Sequence, residues 1–252
     1  MKIQLKSKRI KNKFIYGELL KNNSKSMVLF LSGFSGGMES PLFKEATKIF
    51  FKNNYDVLKF NFCNDYEGVK RRKAIKLEEM SISMYSPELK NIIDLLTKDY
   101  SRIVLVGHSF GAIVSILFLS NYPKYRKNTS LVLWEPALLP WEKSWMEEDF
   151  SFLKKDKMYL ENISGNKING RFYEELIGSE DTSNVFRRLK KRALIISATA
   201  IGVKNARKYY SKTLSNRSKL VVIDGADHGF SKRTDKKRLF GETINFLNNL
   251  NI

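Results

Sequence analysis

Residues 103–111 read I-V-L-V-G-H-S-F-G, an apolar, β-branched run that drives straight into Gly-x-Ser-x-Gly. Ile103 to Val106 has the composition of a strand buried on both faces. Ala112 to Tyr122 reads as a mostly apolar helix, closed by Pro123. A serine between such a strand and such a helix sits on a sharp turn with its hydroxyl exposed above a sheet. Gly107 and Gly111 flank Ser109 where the two backbones nearly touch, so a Cβ on either would clash. The bare motif also arises by chance in loops; the flanking strand and helix are what make Ser109 a candidate nucleophile.

A serine nucleophile needs a base, and the chain has only two histidines. His108 lies inside the turn, where its side chain is expected to point away from the attacking hydroxyl. His228 is left, in L-V-V-I-D-G-A-D-H-G-F, residues 220–230. Leu220 to Ile223 reads as another buried strand and Asp224-Gly225 as a turn. His228 is therefore expected on a loop just past a strand's end, where α/β enzymes place their chemistry. The alternative is a histidine with a purely structural hydrogen bond.

These pieces resemble the α/β-hydrolase superfamily, and within it the small esterases, acylglycerol lipases and feruloyl-esterase-like members. Met27 to Leu31 running into S-G-F-S-G-G is similar to the family's strand followed by His-Gly-Phe-x-Gly. Val57 to Phe62 resembles the next strand. Leu131 to Trp134, Ala193 to Ser197 and Leu220 to Ile223 resemble the last three core strands, and A-D-H-G-F the family's histidine loop. The resemblance implies an α/β fold with a mostly parallel central sheet and helices on both faces. It also implies an oxyanion hole built from the backbone N–H groups of Phe110 and Phe34, with Gly33, Gly36 and Gly37 letting the second loop fold tightly. Ser32 stands where the family usually has histidine, which leaves the hydrogen bonding of that loop open.

The acid departs from the family pattern. Most relatives carry an aspartate after the seventh strand, but the matching stretch is S-A-T-A-I, residues 197–201, with Ile201 at the expected position. No carboxylate occurs between Asp181 and Asp224. Glu135, in L-V-L-W-E-P-A at the end of the sixth strand, is the best substitute. Pancreatic-type lipases carry their acid there in a similar Leu-Asp-Pro-Ala setting, and Glu reaches one methylene further than Asp. Glu135 could instead cap a helix or pair with a lysine. Asp227 is adjacent to His228 and normally diverges from it, and Asp224 reads as a turn former.

At 252 residues with 42% apolar content, the chain can bury one α/β core, and no low-complexity linker divides it. Residues 1–137 and 191–252 are read as the core, and 138–190 as a cap inserted after the sixth strand. No run approaches the ~20 apolar residues that span a bilayer. The basic start, M-K-I-Q-L-K-S-K-R-I-K-N-K, lacks the apolar core of a secretion signal and reads as the first strand of an antiparallel hairpin completed by Phe14 to Leu20. The single cysteine, Cys63, excludes an internal disulfide and fits a cytoplasmic location.

Forty-five basic residues against 26 acidic ones give a net charge of +19. The densest clusters are Lys70 to Lys73 and Arg187 to Arg192. An anionic lipid surface or acidic partner would suit this charge, as would a plainly solvated surface in a lysine- and asparagine-rich chain. Nothing resembles a nucleic-acid motif, and no cofactor or metal site is expected.

The 138–190 segment is rich in aromatics. Trp141 and Trp145 are spaced to share one helix face and are candidates, with Gly33, for substrate contact. The region 64–82 is a second candidate border of the pocket. The leading function is acyl-enzyme hydrolysis of a small-molecule carboxylic ester. Thioester hydrolysis, peptide-bond cleavage and acyl transfer on the same fold are alternatives, as is a non-catalytic binding role.

Overall fold

Several strands of this chain carry apolar runs whose alternate side chains go to opposite faces of one sheet. Val28 and Phe30 face one way while Leu29 and Leu31 face the other, and the same alternation separates Val104 and Val106 from Leu105, and Val132 and Trp134 from Leu131 and Leu133. A sheet apolar on both faces has to be covered on both, and this one is.

A computed structural model describes residues 1–34, 36–63, 73–96, 98, 100–213 and 218–250. The described elements run β1 (Lys2–Lys6), β2 (Phe14–Leu20), β3 (Ser26–Leu31), α1 (Pro41–Lys52), β4 (Asp56–Asn61), α2 (Ile82–Leu96), β5 (Arg102–His108), α3 (Phe110–Asn121) and β6 (Thr129–Trp134). They continue as α4 (Lys143–Asp149), β7 (Phe150–Leu153), β8 (Met158–Glu161), β9 (Lys167–Asn169), α5 (Gly170–Gly178), α6 (Thr182–Leu189), β10 (Ala193–Ser197), α7 (Ala200–Ser211), β11 (Lys219–Val222) and α8 (Arg233–Asn248).

The main sheet has the order β1-β2-β4-β3-β5-β6-β10-β11. Strand β2 runs antiparallel to both its neighbours, while β4, β3, β5, β6, β10 and β11 pair in parallel. The sheet is therefore mostly parallel, and its first two strands form the antiparallel hairpin expected from the sequence. Helices α1 and α8 pack on each other on one face. Helices α2, α3 and α6 cover the other, with α3 between α2 and α6.

Because β3, β5, β6, β10 and β11 are parallel, their following loops emerge at one edge, the usual location of chemistry in such folds. The ladder continues past the strand ends there. The N–H of Ser109 donates to Trp134 O (2.9 Å), that of Glu135 to Ile196 O (2.7 Å) and that of Ile223 to Ser197 O (2.8 Å). Residues that end four neighbouring strands are thereby set side by side.

The segment between β6 and β10 carries a sheet of its own, β7-β8-β9, antiparallel throughout. It is framed by α4 and α5, and Asn169 ties it to the core by donating its amide to Glu78 O and Met80 O.

Candidate active site

Ser109 occupies the residue between β5 and α3 with φ 52° and ψ −118°. A β-carbon residue at positive φ is strained, and here the surroundings enforce it. The Ser109 carbonyl accepts from Ala112 N–H (3.0 Å) and Ala137 N–H (3.2 Å), which locks the turn. A Cβ at Gly111 would collide with the Leu31 carbonyl, so only glycine lets α3 approach β3 this closely. The helix makes no side-chain cap bond to Ser109, which leaves the hydroxyl free of the helix's first turn.

The loop after β3 lies directly against this turn. A Cβ added at Gly33 would stand 3.1 Å from Ser109 Cβ and 3.6 Å from its Oγ. Phe34 follows, its ring 5.9 Å from that of Phe110. Phe110 is the first residue of α3, where a backbone N–H has no acceptor within the helix. The loop after β3 is also held from another side. Its Met38 N–H donates to the buried Asn61 side chain (2.7 Å), and Glu39 pairs with the buried Lys59 ammonium (2.9 Å).

Glu135 follows β6 and is 1% exposed. Its backbone is also at positive φ, 44°. The carboxylate reaches sideways past the end of β10. It accepts from Ser197 Oγ (2.5 Å), Ala198 N–H (2.7 Å), Thr199 N–H (3.0 Å) and the Thr199 hydroxyl. Burial alone would raise its pKa, but its contacts with His228, Ser197, Thr199 and Ala198 outweigh that and hold it down to about 2. The carboxylate of Glu135 thus stands beside the end of β10, the strand after which the sequence resemblance implied an acid. Ile201 is 59% exposed in the first turn of α7 and faces the same cleft.

His228 lies on the loop between β11 and α8. Asp227 shapes this loop by accepting from Gly229 N–H (2.9 Å), Ser231 N–H (3.0 Å) and the Ser231 hydroxyl, so its carboxylate is engaged locally. His228 Nδ1 is 3.9 Å from Glu135 Oε1. The other histidine is close as well: His108 Nε2 lies 2.8 Å from the His228 carbonyl oxygen, with the two rings 4.9 Å apart.

Ser109, Glu135 and His228 open into one cleft of about 1090 Å³. Its walls include Leu138, Trp141 and Trp145 from the segment after β6 and Ile201, Lys204 and Lys208 from α7. The shared helix face expected for the two tryptophans is not formed. Trp141 precedes α4, because its N–H is tied to Leu176 O (2.8 Å) and the helix begins only at Lys143. Trp141 instead packs its ring against Phe34 at 5.8 Å, while Trp145 on α4 is 42% exposed.

Sequence reasoning did not find His108, Thr199 or Gly202 as part of this constellation. The signal available was the small, hydroxyl-rich run S-A-T-A-I-G where an acid was expected. Of the stretch expected to border the pocket, and of the basic cluster within it, residues 64–72 lie outside the described residues. Among the described residues no group of three or more His, Cys, Asp and Glu is arranged to hold a metal ion, and no helix is long and apolar enough to cross a membrane.

No family model matches the sequence, and no curated protein does. Solved structures do match across nearly the whole chain. Est1E from Butyrivibrio proteoclasticus, solved with ferulic acid bound, superposes with a TM-score of 0.76 at 14% identity, covering 97% of both chains. Alpha/beta hydrolase domain-containing protein 10 from mouse gives 0.73 at 12% identity, covering 99% of both. The esterase domain of a Rhodothermus marinus protein gives 0.65 at 12%, covering 98% of this chain and 96% of that one. The strand order, the serine turn and these neighbours together identify the chain as a protein of α/β-hydrolase fold.

Proposed function

We propose that the chain is a serine hydrolase of carboxylic esters that works through an acyl-enzyme. Ser109 Oγ attacks the acyl carbonyl carbon while His228 takes its proton. Negative charge developing on the carbonyl oxygen is met by the N–H groups of Phe34 and Phe110. Collapse of the tetrahedral intermediate breaks the ester C–O bond, and His228 returns the proton to the leaving alcohol. Water then repeats the sequence to release the acid. Glu135, ionised throughout neutral pH, orients the imidazole and stabilises its protonated form.

The observation that carries this reading is the buried carboxylate of Glu135, delivered from the end of β6 to within 3.9 Å of His228 Nδ1. The hydrogen bonds from Ser197, Ala198 and Thr199 offset the cost of burying that charge and hold the carboxylate on the His228 side of the cleft. The apolar walls formed by Leu138, Trp141 and Trp145 suit a bulky apolar group on one side of the ester.

The test is exposure to a fluorophosphonate followed by mass analysis. A single adduct on Ser109 is expected, absent in Ser109→Ala and in heat-unfolded protein. A p-nitrophenyl ester series of increasing chain length then measures the cleft. A folded chain that takes no adduct and cleaves none of these esters is no serine hydrolase.

A further inference from the structure

His228 is carried on a loop that Asp227 shapes and that the buried Ala226 and Phe230 anchor in the core on either side of the exposed His228. Within the loop, a further tie at the His228 backbone itself comes from His108, which ends β5 opposite Trp134 and immediately precedes the serine. Its Nε2 lies 2.8 Å from the His228 carbonyl oxygen. A carbonyl oxygen only accepts, so Nε2 bears the proton and donates, and Nδ1 keeps the lone pair. Burial and the neighbouring His228 push His108 down to about 4, so the neutral ring persists through neutral pH. Phe43 stands edge-on against that ring at 6.3 Å and limits its freedom.

We infer that His108 is a positioning residue: by donating from Nε2 to the His228 carbonyl, it fixes the loop that carries the base against the residue next to the nucleophile. His108 and His228 are 120 positions apart in the chain, and this bond joins their segments directly. The distance of the base from Ser109 is therefore set at the His228 backbone as well as by the buried anchors Ala226 and Phe230. The inference rests on the serine-hydrolase reading for its catalytic meaning, but the bond itself can be tested apart from it.

Three substitutions separate donation from bulk. His108→Gln can place an amide N–H near the Nε2 position, His108→Asn places one near Nδ1, and His108→Leu supplies none. Each is assayed for kcat and KM on a p-nitrophenyl ester, for thermal melting, and for amide hydrogen exchange across residues 224–231. Loss of one positioning bond is expected to lower kcat about tenfold in the Leu and Asn variants with KM changed less than about twofold, while Gln stays within about threefold of the parent. Exchange in the loop should quicken in Leu and Asn and not in Gln. Equal kcat in all three variants, or losses that simply follow melting temperature, overturn the inference. If the parent neither turns over ester nor takes fluorophosphonate, the hydrolase reading fails. The exchange experiment then still decides the bond, and an unchanged loop in His108→Leu refutes it.

Discussion

The Glu135 carboxylate fills the space that a side chain at Gly202 would need: a Cβ built there would collide with Glu135 Oε1 and crowd Ser197 Oγ. Gly202 lies in the first turn of α7, so acid and helix are fitted to each other. Gly202→Ala is expected to displace the carboxylate and to destabilise the fold by about 1–3 kcal/mol, the usual range for overpacking. Turnover should fall although Gly202, which borders the cleft, offers no side chain to the chemistry. Full activity with an unchanged melting temperature would show that Glu135 has room elsewhere.

Glu135→Gln keeps the shape and removes the charge. If Glu135 orients the imidazole, kcat should drop by about two to four orders of magnitude with KM nearly unchanged. An unaltered kcat would remove Glu135 from the mechanism.

Acid should weaken the fold in two separate windows. His108 is held at about 4 against an ordinary 6.5, so its neutral form contributes fully above 6.5 and that stability is lost as pH falls towards about 4. Glu135 is held at about 2 against 4.5, so its ionised form contributes above 4.5, roughly 3 kcal/mol, and that share is lost as pH falls through about 2. Urea midpoints followed against pH should flatten in the upper window for His108→Gln and in the lower one for Glu135→Gln. Parallel curves for all three proteins would contradict both assignments.

Trp141 and Trp145 line the same cleft but should behave differently on truncation. Trp141 packs on Phe34, so Trp141→Ala should cost about 2–4 kcal/mol and lower kcat by loosening the loop beside the serine. Trp145 is 42% exposed, so Trp145→Ala should leave melting within a few degrees and raise KM chiefly for bulky esters. Identical behaviour of the two variants across an ester series would refute this division.

The core of the fold was legible in sequence because its signals are local. Short apolar runs, the glycine spacing around Ser109 and the Asp224-Gly225 turn each act within a few residues. The place of Glu135 at the end of β6 was legible from the apolar run L-V-L-W that leads into it. The small sheet of β7, β8 and β9 was not, because its strands are 3–4 residues long and its hairpin sequence, S-F-L-K-K-D-K-M-Y-L-E, has mixed polarity. Propensity is weak over such lengths, and tertiary contacts decide. Trp141 and Trp145 have helical spacing, but the bond from Trp141 N–H to Leu176 O holds the first of them outside α4. The approach of His108 to the His228 carbonyl joins two loops that no local pattern connects.

The Phe34 ring is surrounded by Phe110 and Phe172 at 5.9 and 5.5 Å and by Trp141 and Phe150 at 5.8 and 6.4 Å. Three of these four rings belong to the segment between β6 and β10, so that segment is packed against the loop beside Ser109. A trapdoor swinging clear would have to tear this cluster apart and carry Phe34 with it. The segment is thus a fixed wall of the cleft that Ser109 and His228 line, not a cover resting on it.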